Sequence, residues 1–315
     1  MTIDLRTVES SPEASRYAHG LAEGLQSVGT EVSVNSGIRP WWEATKPGVS
    51  IGVGAPTPSR RIDGWIWPSG AVEAGRAFRQ KHPDWPLAIA SLHPPAPDEI
   101  EVLPFPVPGA FYAPGDGENV FQVTRRLHLE QRPRVVMFGP FADGRGLSMT
   151  MTAMVHLLAS GGELVVLDGI SIRAQFAPVI QRLGLTGRVV FLPSLDDRDT
   201  AAVLLGADIA ILPERVRTFP YWIPWCHAAG VPVVAVDTPA ARLAVGTAAL
   251  LVDSEREDGL ENAIREVLTN AATHRQLLSR GMAQAERCRS SEVAKAFLQW
   301  IQSDRFKASG KLAAR

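Results

Sequence analysis

The chain has 315 residues, 45% of them hydrophobic and 21% charged, with 32 Lys+Arg against 33 Asp+Glu. At roughly 100–200 residues per domain this predicts two domains, each able to bury a core. The formal net charge of −1 excludes a global electrostatic pull toward nucleic acid or an anionic membrane. Two cysteines, Cys226 and Cys288, are too few for a disulfide framework or a zinc site. The opening MTIDLRTVESSPEAS holds no apolar run of signal-peptide length, and no stretch reaches about 18 consecutive apolar residues, so a soluble cytoplasmic protein is expected.

The first third is unusual in composition: 15 of the 24 prolines and five of the eight tryptophans fall in residues 1–115. Patterning there predicts strands at 3–5, 31–34, 50–53, 62–67, 87–92 and 99–103, with helices at 14–28 and 71–82. Two helices cannot serve all the crossovers between about six strands, so several connections are expected to be short loops or antiparallel turns. Proline clusters at Pro56/Pro58, Pro94–Pro97 and Pro104–Pro108 punctuate the strands, and the last of them, with Gly109, predicts an interdomain linker.

From about residue 134 short apolar runs alternate with segments of helical spacing. The runs are 135–138, 164–167, 189–192, 209–212, 233–236 and 249–252, and near-continuous apolar runs suit strands buried on both faces of a parallel sheet. Helix spacing shows in Met149, Met151, Met154, Val155 and Leu158, and again in Leu260, Ala263, Ile264, Val267 and Leu268. An α/β doubly wound domain is predicted, followed by a helix over 292–302.

Five segments of the second part occur in a telling order. They are Val102–Pro114 (VLPFPVPGAFYAP), Arg134–Phe141 with Gly144-Arg145-Gly146, Gly184–Leu192, Ala207–Pro213 followed by Ala228–Val234, and Leu250–Asp253 with the helix from Gly259. In this order and spacing, residues 102–303 resemble the nucleotide-sugar-dependent glycosyltransferases of the GT-B fold, in particular the retaining family 4. The resemblance implies two Rossmann-like α/β domains facing across a cleft. The expected boundaries are a shortened acceptor-side domain at 1–108, a nucleotide-sugar domain at 109–290, a helix at 291–303 returning to the first domain, and a flexible tail at 304–315.

The resemblance also implies a site. Gly139 and Gly144 would shape the diphosphate loop, Arg145 would keep one of its two cations while Pro140 replaces the other, and Ser194 and Leu195 would meet the base. Asp168 stands where the family has a glycine. The family's paired glutamates, eight residues apart, fall on Arg217 and Trp225, so both carboxylates are gone. Arg217 could approach a phosphate or an acidic sugar, or be a solvated surface arginine. Thr218-Phe219-Pro220 replaces a Gly-Phe-Gly loop and loses an amide donor at Pro220. Trp225 and Phe219 could stack on a sugar or base, or pack in the core. On the acceptor side, Ser15 and Arg16 echo the start of the first helix and His93 ends a strand. Catalytic weight is placed on Arg145 and Arg217. The acidic run Asp196–Asp199 predicts a helix cap rather than a metal site, and no cofactor or metal is expected.

The resulting function is transfer of a sugar from a nucleotide-sugar donor to an unknown acceptor with retention. The alternative is a catalytically inactive pseudoenzyme that binds a protein partner or a glycan. A peripheral membrane contact through Arg76, Arg79, Lys81 and His82 around Phe78 stays open, as does a protein partner; a solvated helix face is the plainer reading of that stretch.

Overall fold

The computed structural model describes residues 2–7, 12–36, 49–53, 64–67, 77–78, 80–81, 87–90, 101–112, 117–129, 132–138, 145–213, 220–253 and 258–307. The chain forms two compact units: Met1–Pro108 with Arg217–Tyr221 and Glu286–Arg315, and Gly109–Val216 with Trp222–Ala285. Among the described residues no helix is long and apolar enough to cross a membrane.

The first unit is built on six strands, β1 (Thr2–Thr7), β2 (Glu31–Ser36), β3 (Val49–Val53), β4 (Gly64–Trp67), β5 (Leu87–Ala90) and β6 (Glu101–Leu103), in the order β2-β1-β3-β4-β5-β6. Every neighbouring pair is parallel. Among the described residues no antiparallel pair of strands occurs, so none of these neighbours is joined by the antiparallel turn that was expected as one alternative. Of the expected helix at 71–82, only residues 77–78 and 80–81 are described, and these are helical.

Helix Pro12–Ser27 opens on a proline, whose missing N–H costs nothing in the first turn. It buries Ala14, Tyr17, Ala18, Leu21, Ala22 and Leu25, a stripe at helical spacing. Gly29 at φ 77° follows its end. The helix packs on the sheet and on helix Ser290–Gln302. Gly24 marks the second contact, since a Cβ there would lie 1.9 Å from the Ser290 carbonyl oxygen. The same Ser290 donates its N–H and hydroxyl to the Val107 carbonyl at 3.2 and 2.9 Å, and Val107 donates to the Cys288 carbonyl at 2.7 Å. The tail expected from residue 304 starts instead as helix Asp304–Lys307, because Phe306 buries its ring against Trp300 with centroids 5.1 Å apart.

The second unit carries β7 (Arg134–Phe138), β8 (Glu163–Leu167), β9 (Val189–Phe191), β10 (Ile209–Leu212), β11 (Val233–Val236) and β12 (Ala249–Val252), all parallel, ordered β12-β11-β10-β7-β8-β9. The chain lays down β7, β8 and β9 in one direction and then returns to the other side of β7. Its core joins Val135, Met137, Leu164, Val166, Ile209, Ile211, Val234 and Val236 to helix residues such as Leu147, Met151, Phe176 and Ile264. At the amino ends of the central strands lies a buried ion pair. Arg134, paired in register with Glu163, donates Nε to the Glu163 carboxylate at 2.5 Å, Nη1 to the Gly206 carbonyl at 3.1 Å and Nη2 to the Leu129 carbonyl at 2.5 Å.

Candidate functional site

In open α/β sheets ligands settle outside the carboxyl ends of the strands where the strand order reverses, because the loops to either side part there. In the second unit that place lies between β7 and β10. Register aligns Phe138 of β7 with Leu167 of β8, and Met137 with Ile211 of β10, so all these strands end along one edge.

Helices begin along this edge. Helix Arg145–Ala153 follows β7 and Arg173–Arg182 follows β8; Asp197–Leu205 follows β9, Ile223–Ala228 follows β10 and Pro239–Val245 follows β11. Their first turns leave backbone N–H groups without intrahelical acceptors and concentrate positive potential. Arg145 is exposed at the first position of its helix, a guanidinium added to a helix N-terminus. Such a pairing suits a diphosphate by charge and by donor geometry.

The sequence-predicted residues divide as follows. Ser194 is exposed and Leu195 half-buried, just before Asp196. Asp196 caps the next helix by accepting the Asp199 N–H at 2.8 Å, which makes the acidic run a cap. Asp168 adopts φ 55°, the left-handed conformation that favours the glycine it replaces. Ser15 is exposed, and the half-buried Arg16 holds its guanidinium 5.8 Å above the Tyr221 ring within the first unit. Of the basic stretch around Phe78, Lys81 is exposed and Phe78 half-buried. Gly139, Gly144, Arg217, Thr218, Phe219, His93, Arg76, Arg79 and His82 lie outside the described residues.

Trp225, expected at the donor, is placed differently. It is 2% exposed, stacked on Phe111 with centroids 4.8 Å apart, with Phe138 edge-on at 6.4 Å. Trp222 stacks on Phe138 at 4.8 Å. The end of β7 is thus closed by a block of four aromatic rings, and Trp225 packs in it instead of presenting a face to a ligand.

Beside this block sits His227, buried, with Gly281 so close that a Cβ there would be 2.9 Å from its ring. Neither ring nitrogen has a hydrogen-bond partner among the described residues. Burial pushes the imidazole pKa down from 6.5 to about 4, with the Ala248 backbone offsetting part of the effect. The unfolded chain therefore takes up a proton that the folded one refuses. Stability is full above pH 6.5 and falls as pH drops toward 4, by up to about 3 kcal/mol for a shift of this size. Urea denaturation of the wild type and of His227→Met at pH 7 and pH 4.5 should show the acid loss largely removed in the variant.

The sequence reading passed over the end of β11. There Thr238 caps helix Pro239–Val245 by accepting the Ala241 N–H at 3.0 Å, and Arg242 binds Asp237 through two hydrogen bonds of 2.5 and 2.7 Å. The Arg242 fork holds the Asp237 carboxyl below its usual range. The signal was present: Thr-Pro after a strand marks a cap followed by the first helical position.

Comparison with known proteins bears on the family and the fold. Residues 132–270 match the family described as glycosyl transferases group 1. D-inositol 3-phosphate glycosyltransferase of Mycobacterium marinum is 27% identical over 205 residues, 62% of this chain and 43% of the relative. The protein of the same name from Acidothermus cellulolyticus is 28% identical over 229 residues, 68% of this chain and 49% of the relative. The chain thus spans less than half the length of these curated relatives. Among solved structures, a glycosyltransferase from Rickettsia africae superposes with TM-score 0.70 at 13% identity, over 95% of this chain and 98% of that one. Anabaena HepE in complex with UDP and glucose gives TM-score 0.69 at 14% identity, over 96% and 99%. The likeness concerns the fold, two parallel-sheet α/β units of the GT-B type. Residues 132–270 of this chain are similar to the glycosyl transferases group 1 domain.

Proposed function

We propose that the chain is a glycosyltransferase that takes a sugar from a nucleotide diphosphate sugar, with UDP as the nucleotide, and passes it to an acceptor with retention. The observation that carries this reading is the family match over residues 132–270, which falls on the sheet whose strand order reverses beside Arg145. UDP as the nucleotide is supported by its presence in the HepE complex of like fold. Arg145 would grip the diphosphate and neutralise the charge that grows on it as the glycosyl bond breaks, aided by helix N-termini along the same edge. The comparisons lend no support to a non-catalytic protein.

The test is release of UDP from UDP-glucose and related donors, with water or an added sugar as acceptor. The wild type should release UDP catalytically. Arg145→Ala should lower the rate by about 100-fold, the usual cost of removing one group that stabilises transition-state charge. Absence of UDP release from every donor would sink the proposal.

A further inference from the structure

Side chains alternate between the faces of a strand. On β1, Ile3 and Leu5 point to one face and are fully buried, while Asp4 and Arg6, also buried, point to the other. Register sets Ser33 beside Asp4, places Asn35 and Gly52 on the two sides of Arg6, and sets Trp65 beside Gly52. One row across four strands therefore reads Asn35, Arg6, Gly52, Trp65. The Trp65 ring lies over Gly52, where a Cβ would come within 2.5 Å of Cε3, so only glycine fits beneath it.

The Asp4 carboxylate accepts hydrogen bonds from Ser33 Oγ at 3.0 Å, Asn35 Nδ2 at 2.8 Å and Arg6 Nε at 2.8 Å. Burial raises its pKa, but these three donors outweigh burial and keep it lowered. The guanidinium is thereby fixed through Nε alone. Its side chain is 10% exposed, and among the described residues no group accepts from Nη1 or Nη2. Neither nitrogen is fully enclosed, so the exposed tenth includes them. In the same row Trp65 is fully buried, and its Nε1–H has no acceptor among the described residues.

The enclosed Trp65 donor costs stability while it has no acceptor, and the Arg6 fork reaches the surface with no protein group on it among the described residues, so an incoming ligand can take it. On the two buried side chains of this row the unanswered groups, Nη1 and Nη2 of Arg6 and Nε1 of Trp65, are donors. The fork formed by Nη1 and Nη2 matches the paired oxygens of a carboxylate or phosphate, which a point charge would not. Arg6 lies near the carboxyl end of β1, and the strand order of this sheet reverses between β1 and β3, that is, between Arg6 and Gly52.

We propose that the first unit binds an oxyanion, a carboxylate or a phosphate monoester, on Nη1 and Nη2 of Arg6, with Asp4, Ser33 and Asn35 holding the guanidinium and Trp65 walling the row. The site lies within one unit and stands without the transferase reading. The further step, that the anion is carried by the acceptor, rests on that reading.

Calorimetric titration of the full chain with inorganic phosphate and with glucuronate tests it, repeated on Arg6→Lys, which keeps a cation for Asp4 but removes the fork. One of the two oxyanions should bind saturably and lose about tenfold or more in affinity in the variant, with its UDP titration unchanged. A response to phosphate alone assigns a phosphate ligand, and one to glucuronate alone a carboxylate. Should Arg6→Lys fail to fold, Asp4→Asn/Arg6→Gln removes both charges together and should abolish binding. Failure of both oxyanions to saturate, or equal affinity in the variants, overturns the proposal. Loss of the UDP response alone would sink the transferase reading and leave this one standing.

Discussion

Replacing Gly24 with alanine is expected to cost the first unit about 3 kcal/mol, a large fraction of the roughly 5–15 kcal/mol that holds an ordinary domain folded. Alanine in a helix interior normally gains about 1 kcal/mol over glycine, so propensity alone gives the opposite sign. Sterics decide it. The added methyl would sit 1.9 Å from the Ser290 carbonyl oxygen and 2.4 Å from its carbon, and 3.1 Å from Ala294 Cβ. Two of these neighbours are backbone at the start of helix Ser290–Gln302, already tied to Val107 through the Ser290 N–H and hydroxyl. Helix Ser290–Gln302 cannot yield without breaking those bonds. Urea denaturation followed by circular dichroism checks the result; a Gly24→Ala protein as stable as the wild type would contradict the close packing of these helices.

Glu163→Ala should destabilise the second unit by about 3–5 kcal/mol, because it strands a buried guanidinium without its counter-charge. Arg134 and Glu163 are 3% and 2% exposed at the side chain. The Gly206 and Leu129 carbonyls would still accept hydrogen bonds from Arg134, but carbonyl dipoles do not replace a carboxylate in a buried setting. The double variant Arg134→Met/Glu163→Leu should recover much of the loss, since removing both charges also removes their desolvation cost. Denaturation midpoints of the single and double variants decide this; a double variant as unstable as the single one would show that packing, not charge, governs the position.

These two predictions also mark how far the sequence could be read. Strands of the second unit were legible because parallel strands buried on both faces read as unbroken apolar runs, as Val135–Phe138 and Val233–Val236 do. Asp196 as a cap was legible because capping is a local event. Gly24 was not, since the contact that makes it glycine comes from Ser290, far away in the chain, and helix spacing alone treats it as a weak helix former. Arg134 reads as the charged start of a strand until its partner in the next strand is known.

The site was less legible than the fold. Substitution at Trp225 told that a carboxylate was missing, but whether an indole stacks on a ligand or on Phe111 depends on what else lies at the end of β7. Asp168 stands where the resemblance expects a glycine, and its φ of 55° is the left-handed conformation that glycine favours. Arg6 was passed over because polar residues alternating with apolar ones, Asp4 and Arg6 with Ile3 and Leu5, read as the solvent face of a half-buried strand. Burial of that face reverses the meaning of the pattern.

Calorimetric titration of the wild type and of Arg145→Ala with UDP tests most directly whether the carboxyl edge of the second sheet binds a nucleotide diphosphate. Saturable binding of UDP by the wild type, weakened about tenfold or more in Arg145→Ala, is the result predicted from a guanidinium on the diphosphate. No binding of UDP, GDP or TDP at millimolar concentration, or equal affinity in both proteins, would contradict it.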